Sequence, residues 1–375
     1  MKTIAIIGGG IGGLTTAIAL RKRGFEVEVF ETASVFKDVG SGINLGINAT
    51  QIFQKLGLYD DVVKEGNIIH RMKATNKKLQ PITISEFENA EKKFGVKNVT
   101  IHRYVLHKIL LEALVGVTIH LNKQLLSLKN KENAVHLEFK DGTKATFDLV
   151  IGADGIHSAV RQSIFDNTSL RDANQVCWRG ISQTNIDNKY NSELNEVWDK
   201  GKRFGFVQIN PNEIYWYALI DKDKFEKGMK PSNVFNDYHK DIQNILGNTT
   251  ADKIIFSEIW DLKPFNNWHK GNVCLLGDAA HATTPNMGQG ACQAIESAYV
   301  LANSLAENSD TSEAFKASQS QRIKRTHYIV NTSWKLGKLA QSNNRFIIFL
   351  RNTIMKALTN SMKEKQSNKL FNVSD

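Results

Sequence analysis

The sequence predicts an α/β fold of two domains, in which a β-rich lobe interrupts a domain built on a parallel sheet. Three observations predict it. The chain opens as strand, glycine turn, helix and strand (TIAIIG, GGIGG, LTTAIALRKRG, EVEVFE). From about residue 173 to 262 the character changes to alternating aromatic strands. The helix and strand pattern then returns at NVCLLGDAAH, residues 272–281.

The opening βαβ unit carries Gly8-x-Gly10-x-x-Gly13 between its first strand and its helix. The first glycine permits a tight turn, the second lets backbone amides approach a pyrophosphate, and the third lets helix and strand pack closely; the cofactor-binding set also includes Ile11 and Gly12. Glu31 ends the second strand, where a carboxylate can accept hydrogen bonds from a ribose diol. These features predict a Rossmann-type site for FAD or NAD.

The next segments continue this domain and lead into the lobe. Residues 101–116 have helical apolar spacing, and TIHLN, AVHLEF and ATFDLVIGADG read as strands that we expect in the same sheet. The lobe contributes WRGIS, RFGFVQI, IYWYALI and IIFSEIW, with a turn at residues 210–212. A cleft between the two domains is the expected ligand site.

This pattern gives a discontinuous first domain of residues 1–75, 100–172 and 263–330. The β-rich domain takes residues 76–99 and 173–262, and residues 331–375 form a C-terminal helical segment. Within that segment, residues 334–358 have an amphipathic, basic helix pattern with Ile347, Leu350, Ile354 and Leu358 on one face. We expect this helix to brace the two domains rather than to lie on a membrane. Residues 363–375 are expected to be a frayed polar tail.

Composition narrows the class of protein. At 375 residues, with 41% hydrophobic and 23% charged residues, the chain is an ordinary globular protein. Its three cysteines share no CxxC spacing, which argues against disulfides and a zinc site, so a cytoplasmic protein is expected. The net charge of +10 is explained by a lysine-rich solvated surface or, alternatively, by attraction of anions such as nucleotide cofactors and small aromatic acids. We expect no nucleic-acid partner, because no compact basic block is interleaved with aromatic residues.

Two further motifs identify the cofactor. Asp148-Leu-Val-Ile-Gly-Ala-Asp154-Gly155-Ile-His-Ser158-Ala-Val-Arg161 resembles the Asp-Gly motif of the flavoprotein aromatic hydroxylases. Gly277-Asp278-Ala-Ala-His281-Ala-Thr-Thr-Pro285-Asn286-Met287-Gly288-Gln289-Gly290 is similar to their second flavin motif. With the N-terminal fingerprint, the three motifs span about 280 residues in the family's order. The chain thus resembles the single-component group A monooxygenases with the p-hydroxybenzoate hydroxylase (GR2) fold, in the salicylate hydroxylase, urate hydroxylase and zeaxanthin epoxidase branch.

The resemblance implies an FAD-dependent monooxygenase that consumes NADH or NADPH. It implies that one oxygen atom of O₂ enters a small aromatic or heteroaromatic substrate through a flavin C4a-hydroperoxide. No second fingerprint is present for the nicotinamide, so the donor is expected to bind transiently. The alternatives are an epoxidase or antibiotic-modifying monooxygenase of the same fold and, from another class, a non-catalytic flavin-binding regulatory protein. We expect a monomer or weak dimer.

The candidate cofactor-binding residues come from the residue patterns and from the family resemblance. Asp278 ends an apolar strand and can bond ribityl hydroxyls, or it can be an ordinary helix cap. The turn of Pro285, Gly288, Gln289 and Gly290 opens a helix whose amides can stabilise a reduced flavin. The resemblance adds Asp154, which with Arg161 could instead form a local ion pair, and also Arg103 and the loop of Gly40, Gly42 and Gly46.

Other titratable residues give weaker indications of function. His281 lies in the flavin motif but is expected to be structural, and Ser158 lacks the GxSxG context of a hydrolase. No metal site is expected, because no His/Cys cluster has ligand spacing. No catalytic residue is assigned. The substrate-pocket candidates are Arg203, Phe206, Tyr215, Trp216, Tyr217 and Pro285, since Arg can clamp a carboxylate and Tyr can bond a phenolate. The hairpin register that decides which of them face the cleft is open at this point.

Overall fold

The computed structural model describes residues 2–37, 41–131 and 134–373 of the chain. Its strands are β1 (Thr3–Ile7), β2 (Glu26–Phe30), β3 (Gly42–Leu45), β4 (Asn67–Ile69), β5 (Arg71–Thr75), β6 (Pro81–Glu86), β7 (Asn98–His102), β8 (Thr118–His120), β9 (Leu125–Asn130), β10 (Val135–Phe139), β11 (Lys144–Phe147), β12 (Leu149–Gly152), β13 (Leu170–Gln183), β14 (Glu193–Asp199), β15 (Lys202–Asn210), β16 (Glu213–Asp221), β17 (Ile255–Leu262), β18 (His269–Lys270) and β19 (Val273–Leu275).

The helices are α1 (Ile11–Arg21), α2 (Ile47–Leu56), α3 (Tyr59–Glu65), α4 (Glu88–Phe94), α5 (Arg103–Glu112), α6 (Ala159–Ile164), α7 (Pro231–Val234), α8 (Lys240–Gly247), α9 (Asp278–His281), α10 (Gly290–Glu307), α11 (Thr311–Ala340), α12 (Arg345–Ala357) and α13 (Asn360–Phe371). No helix in these described ranges is both long and apolar enough to cross a lipid bilayer.

The first domain is built on a six-stranded sheet of order β18-β19-β12-β1-β2-β8. Its strands are parallel except for β18. Near-continuous apolar runs suit such a sheet, because both of its faces are covered: helices including α1 and α10 pack on one face, and the β9-β10-β11 sheet with α6 packs on the other. Residues Ile4 to Ile6 of β1 and most of α1 are fully buried. The predicted βαβ opening and the return of the chain at β19 are confirmed.

The second domain is a seven-stranded sheet of order β17-β13-β16-β15-β14-β5-β6. All four predicted aromatic strands belong to it, and residues 211 and 212 form the predicted turn between β15 and β16. One face buries an aromatic core against α7 and α8 that includes Phe204, Trp216, Phe235 and Ile242. The opposite face points toward the first domain.

Several predicted assignments are corrected by the sheets. β5 pairs with β14 inside the seven-stranded sheet, so the second domain begins before β5 and not at residue 76. β10, predicted in the main sheet, pairs with β9 and β11 in a separate antiparallel sheet. β7 joins β3 and β4 in another small sheet rather than the β-rich lobe. Local patterns indicate a strand but do not specify its partner.

The C-terminal segment is also corrected. The single predicted helix over residues 334–358 is divided between α11 and α12, and residues 360–371 form α13 instead of a frayed tail. Phe371 is buried beside Ile47 and Val96, and the Arg325 guanidinium donates to the carbonyls of Lys369 and Leu370. These contacts anchor the end of the chain on α2, α4 and α11.

Candidate active site

The glycine turn after β1 leaves no room for side chains at two positions. Gly8 has φ of +111°, and a Cβ there would lie 2.4 Å from the carbonyl oxygen of Ala153. A Cβ on Gly13 would lie 1.9 Å from the carbonyl oxygen of Gly8. The glycines therefore let β1, β12 and α1 meet at one point, as the fingerprint predicts.

The N-terminus of α1 fits an anion. Its N-cap, Gly10, offers no side-chain cap, and a Cβ on Gly10 would meet no atom within 4 Å. The first amides of an α-helix have no partner within the helix, and the macrodipole favours negative charge there. Ile11 and Gly12 form its first turn, with Gly12 facing Ala294 of α10. Open space in front of unpaired amides is what the pyrophosphate of a dinucleotide requires.

Glu31 lies beside this turn and holds it in shape. Its Oε2 accepts a 2.7 Å hydrogen bond from the Gly9 amide, and its Oε1 accepts one of 2.8 Å from the Ala33 amide. On the other side, a ring nitrogen of His107 lies 2.7 Å from the carbonyl oxygen of Gly9. Each carboxylate oxygen can accept a further hydrogen bond, so these two bonds leave Glu31 able to bind a ribose. Contact between Glu31 and a ribose stays a prediction.

Asp278 and Arg103 lie at a recess between the two domains. Asp278 is the exposed first residue of α9, yet surrounding protein raises the pKa of its carboxyl, an effect that nearby Arg103 opposes. Arg103 is the exposed first residue of α5. Desolvation lowers the pKa of its guanidinium, and the nearby carboxyl of Asp278 opposes this shift. Both groups are accessible while protein encloses them on most sides, which is the environment of a ligand cleft.

Asp154 is occupied with its own helix. It accepts a 2.5 Å hydrogen bond from the Ser158 hydroxyl and a 3.1 Å bond from the Val160 amide, and burial raises its carboxyl pKa. Arg161 donates to the carbonyls of Ile156 and Ala279 rather than pairing with Asp154. The structure shows capping of α6, and contact between Asp154 and a cofactor stays a prediction.

The second flavin motif forms a turn into α10. Pro285–Met287 is a short 3-10 helix, and Gly288 has φ of +61°, a conformation that favours glycine. Pro285 and Gly288 are exposed, and the first amides of α10 from Gly290 onward carry no side-chain cap. Gln289 differs, because it is buried and its Oε1 accepts from Asn48 and Gln293. Gln289 therefore supports the turn from behind.

Gly42 lies where the first domain contacts the seven-stranded sheet. It begins β3, and a Cβ there would lie 2.6 Å from Cγ of Tyr215 on the seven-stranded sheet. Only glycine allows this contact without displacing the tyrosine ring. Gly40 of the same predicted loop lies outside the described residues.

The register of β15 and β16 decides which predicted pocket residues face the cleft. Tyr217 pairs with Gly205 and Tyr215 with Val207, and both tyrosines are partly exposed toward the first domain. Phe206 and Trp216 pair with each other on the opposite face and are fully buried in the aromatic core. The prediction that Phe206 and Trp216 line the pocket is wrong, because neighbouring residues on a strand point to opposite faces.

Arg203 lies on the cleft face but is not an available carboxylate clamp. It is 2% exposed, and its guanidinium donates to Glu196, Gln341 and Asn286. The Tyr217 hydroxyl donates to the second oxygen of Glu196 at 2.8 Å, and burial by this network raises the tyrosine pKa. A buried guanidinium whose three nitrogens each already donate a hydrogen bond is not open to a substrate, so the predicted role of Arg203 is corrected to a structural one.

The sequence analysis missed Arg179 on the same face. It pairs in register with Tyr217 and donates through Nη2 to the Ser257 hydroxyl at 2.9 Å, while its Nε is buried without a partner. Within the described ranges no carboxylate pairs with it. It is close enough to Arg103 and Tyr215 to influence the pKa of each. The signal was present, because Arg179 lies in the predicted strand WRGIS at an alternating position.

His281 is buried behind the cofactor side. One ring nitrogen lies 3.0 Å from the Ser297 hydroxyl, and burial lowers its pKa to about 3. A neutral, enclosed imidazole agrees with the predicted structural role. Ser158 accepts from the Arg161 amide as a helix cap and donates its hydroxyl proton to Asp154.

Comparisons with known proteins support the arrangement. A family model described as FAD binding domain matches residues 1–331. The chain is 32% identical to the Aurachin C monooxygenase/isomerase of Stigmatella aurantiaca, over 95% of this chain and 94% of that protein. It is 30% identical to the 2-heptyl-3-hydroxy-4(1H)-quinolone synthase of Pseudomonas aeruginosa, over 98% and 97%.

The fold is shared with a solved flavoprotein. The structure of Klebsiella pneumoniae HpxO complexed with FAD and uric acid matches with a TM-score of 0.90 and 23% identity, covering 98% of this chain and 96% of that one. At this level of identity the match shows the fold: an FAD-binding domain, a β-rich substrate domain and C-terminal helices.

Proposed function

This chain belongs to the FAD-binding family of class A flavoprotein monooxygenases, and from that premise we propose that its substrate is a neutral heteroaromatic ring of the 4-quinolone type. As a member it is an FAD-dependent monooxygenase that hydroxylates aromatic or heteroaromatic substrates, with NAD(P)H as donor. The proposal concerns the substrate and the residues that bind it.

We call the first-domain side of the cleft, from the α1 N-terminus to the turn before α10, the cofactor wall. Its residues suit FAD. The α1 N-terminus beyond Gly10 would hold the pyrophosphate, Glu31 the ribose, and Asp278 the ribityl chain. Arg103 and the turn from Pro285 to Gly290 would lie against the flavin ring. When bound, FAD supplies the activation of O₂, and the protein supplies binding, orientation and electrostatics.

One observation carries the substrate assignment: within the described ranges, the cleft face presents the unbonded hydroxyl of Tyr215 beside Arg179, which the protein bonds only through Ser257. Burial raises the pKa of Tyr215 to about 12, so its hydroxyl keeps its proton at neutral pH, and no described group bonds it. Arg179 lies beside it without a carboxylate partner. Two adjacent donors, one of them cationic, match an oxygen atom attached to an aromatic ring.

A carboxylic acid fits this face less well than a ring oxygen. A carboxylate is bound best by a bidentate guanidinium fork. The fork of Arg203 is filled by Glu196, Gln341 and Asn286. In Arg179 the Nε is buried and one N–H of Nη2 already donates to Ser257, so the edge of the guanidinium formed by Nε and Nη2 is not open to a carboxylate.

Another part of the face is apolar. Met72, Leu194 and Val207 share the alternation of Tyr215 and Tyr217 across β5, β14 and β15. The name of the Pseudomonas relative gives its product a ring carbonyl and a heptyl chain. A donor pair beside aliphatic side chains supports a substrate of the same build.

The two donors also have a chemical role. Transfer of an electrophilic oxygen requires an electron-rich ring carbon. Negative charge on the ring oxygen of a 4-quinolone raises electron density at the neighbouring carbon, and Arg179 with Tyr215 would stabilise that charge. Tyr217, already bonded to Glu196, would form the rigid wall against which the ring lies.

The test is turnover by the FAD-loaded protein with a panel of 2-heptyl-4(1H)-quinolone, salicylate and urate. We expect the quinolone to stimulate NAD(P)H oxidation and to gain one oxygen atom from isotope-labelled O₂, as read by mass spectrometry. Efficient coupled turnover of an acid, with none of the quinolone, would overturn the substrate assignment and leave the monooxygenase assignment intact.

A variant pair locates the contact. Arg179→Gln should lower kcat/KM for the quinolone about a hundredfold, the usual effect of removing a donor from a developing oxyanion. Lys202→Gln is the matched control, because it removes one positive charge from β15 beside Phe235, away from the cleft. Equal effects of the two changes would contradict a direct role for Arg179.

A further inference from the structure

The helix α12 turns its apolar side to solvent. Of its large apolar residues, Phe346 is 72% exposed and Phe349 is 68% exposed, and Ile347, Leu350 and Ile354 are also exposed. At 100° per residue these five positions share one broad face. The helix is predicted to brace the two domains with its apolar face; instead this face is turned to solvent, and α12 packs on α11 and on the second domain through its other side.

The opposite side of α12 fixes this orientation. Arg351 is 2% exposed, donates to the carbonyls of Leu339 and Ala340, and lies over the ring of Trp198 at 5.2 Å. Met355 packs with Trp198 and Ala340 in the same cluster. The helix is thus attached through a buried arginine, and rotating its apolar face inward would expose that bonded guanidinium.

The charge along the sequence on both sides of α12 is of one sign. From residue 314 to residue 363 the sequence contains no Asp or Glu and ten Lys or Arg. Arg345 and Lys356 are exposed on α12 itself, and Lys338 at the end of α11 adds to them. An exposed apolar face on a helix whose own charged residues are all basic complements an anionic lipid surface; Asp221, the acidic residue at the loop before α12, already accepts from Gln341 and Asn343.

We propose that α12 docks this protein on an anionic lipid bilayer, with the helix lying along the interface. At 13 residues it is about 20 Å long, too short for a hydrocarbon core of about 30 Å, so it would lie on the bilayer rather than cross it. Phe346, Phe349 and Leu350 would enter the acyl boundary, and Arg345 with Lys356 would meet lipid phosphates.

A second copy of the chain is the competing occupant. A twofold contact through α12 would bring Arg345 and Lys356 of each copy against the same positive charges of the other. No acidic residue of α12 offsets them, and Asp221 beside the loop before α12 already accepts from Gln341 and Asn343. Charge complementarity therefore favours lipid over self-association.

Docking at α12 would place the cleft close to the bilayer. The helix begins four residues after Gln341, whose amide oxygen accepts a hydrogen bond from Arg203 on the cleft face. Gly337 near the end of α11 lies against Asn286 of the turn before α10. The inference itself stands on α12 and does not depend on the quinolone assignment.

The experiment is vesicle flotation of the full-length, FAD-loaded protein. Vesicles of phosphatidylcholine alone are compared with vesicles in which phosphatidylglycerol makes up about half of the lipid. We expect binding to the anionic vesicles that weakens with salt, and little binding to the neutral ones.

Two variant pairs assign the binding to α12. Phe346→Ser/Phe349→Ser should weaken partitioning by about tenfold or more, while Val115→Ser/Leu126→Ser, at exposed positions elsewhere, should not. Arg345→Gln/Lys356→Gln should weaken it roughly fivefold per charge, while Lys92→Gln/Lys144→Gln should not. FAD content and thermal midpoint report that every variant is folded.

The proposal is overturned if the wild-type protein does not float with anionic vesicles, or if the control pairs reduce binding as much as the α12 pairs do. It is also overturned if sedimentation without lipid shows a dimer that Phe346→Ser/Phe349→Ser dissociates while vesicle binding is absent, since a second copy would then be the occupant.

Discussion

The two walls of the cleft are built from different parts of the chain. On the cofactor wall, backbone geometry determines the shape: Gly8 and Gly13 lie where side chains would not fit, and Gly288 has a positive φ that favours glycine. On the substrate wall, side chains of one sheet face determine the shape, and Arg203 and Tyr217 both donate to Glu196. The cofactor wall tolerates little substitution at its glycines, because its shape depends on the backbone. A side-chain wall can change specificity while the fold is kept.

The largest effect is expected on the cofactor wall. Gly13→Ala places a methyl group 1.9 Å from the carbonyl oxygen of Gly8, which neither backbone can relieve without moving β1 or α1. We expect loss of folded, FAD-containing protein, measured by flavin absorbance after purification. Gly247→Ala is the control, because a Cβ there meets nothing within 4 Å. Normal flavin content in Gly13→Ala would show that this wall is less constrained than its geometry indicates.

The next effect concerns the buried pair of the substrate wall. Arg203→Ala leaves Glu196, 4% exposed, without its cation, and should reduce the free energy of unfolding by about 3–5 kcal/mol. Thermal and denaturant midpoints measure the loss. The double variant Glu196→Gln/Arg203→Met should recover much of it, because no uncompensated charge remains. A loss below about 1 kcal/mol would mean that the network is not a structural element of the wall.

A smaller, pH-dependent effect is expected behind the cofactor wall. Because burial lowers the pKa of His281 to about 3, its folded form stays neutral while the unfolded chain takes up a proton near pH 6.5. Stability from this group is complete above pH 6.5 and falls by about 1.4 kcal/mol per pH unit below it, so about 2 kcal/mol is lost by pH 5.

The measurement compares unfolding of the wild-type protein and His281→Asn between pH 7 and pH 5. The variant cannot titrate, so its stability should fall less over this range. Parallel curves for the two proteins would contradict a buried neutral imidazole at this position.

The smallest effect separates two neighbouring tyrosines. Tyr215→Phe removes an unused donor and should raise KM for a quinolone about fivefold to tenfold, with little change in stability. Tyr217→Phe removes the donor to Glu196 and should instead reduce stability by about 1–2 kcal/mol with KM nearly unchanged. The reverse assignment of the two effects would mean that Tyr217, and not Tyr215, contacts the substrate.

Sequence reasoning succeeded where the signal is local. Glycine spacing, apolar runs and the order of the three motifs predicted the βαβ opening, the inserted lobe and the FAD-binding family, because each depends on residues close in sequence. It failed for β14, the strand that brings Glu196 to the cleft, since ELNEVWD mixes polar and apolar residues without clear alternation. It also failed for the C-terminal tail, whose burial depends on Phe371 reaching α2 and α4.

The sequence by itself determined the cofactor and the chemistry, since a pyrophosphate needs amides that a short glycine pattern provides. The tertiary structure decided the substrate wall and the outward face of α12. Strand register placed Arg179 and Tyr215 on the cleft face and removed Phe206 and Trp216 from it. Burial of Arg351 turned the apolar side of α12 toward solvent. Both outcomes depend on pairings between residues far apart in the chain, which no local pattern specifies.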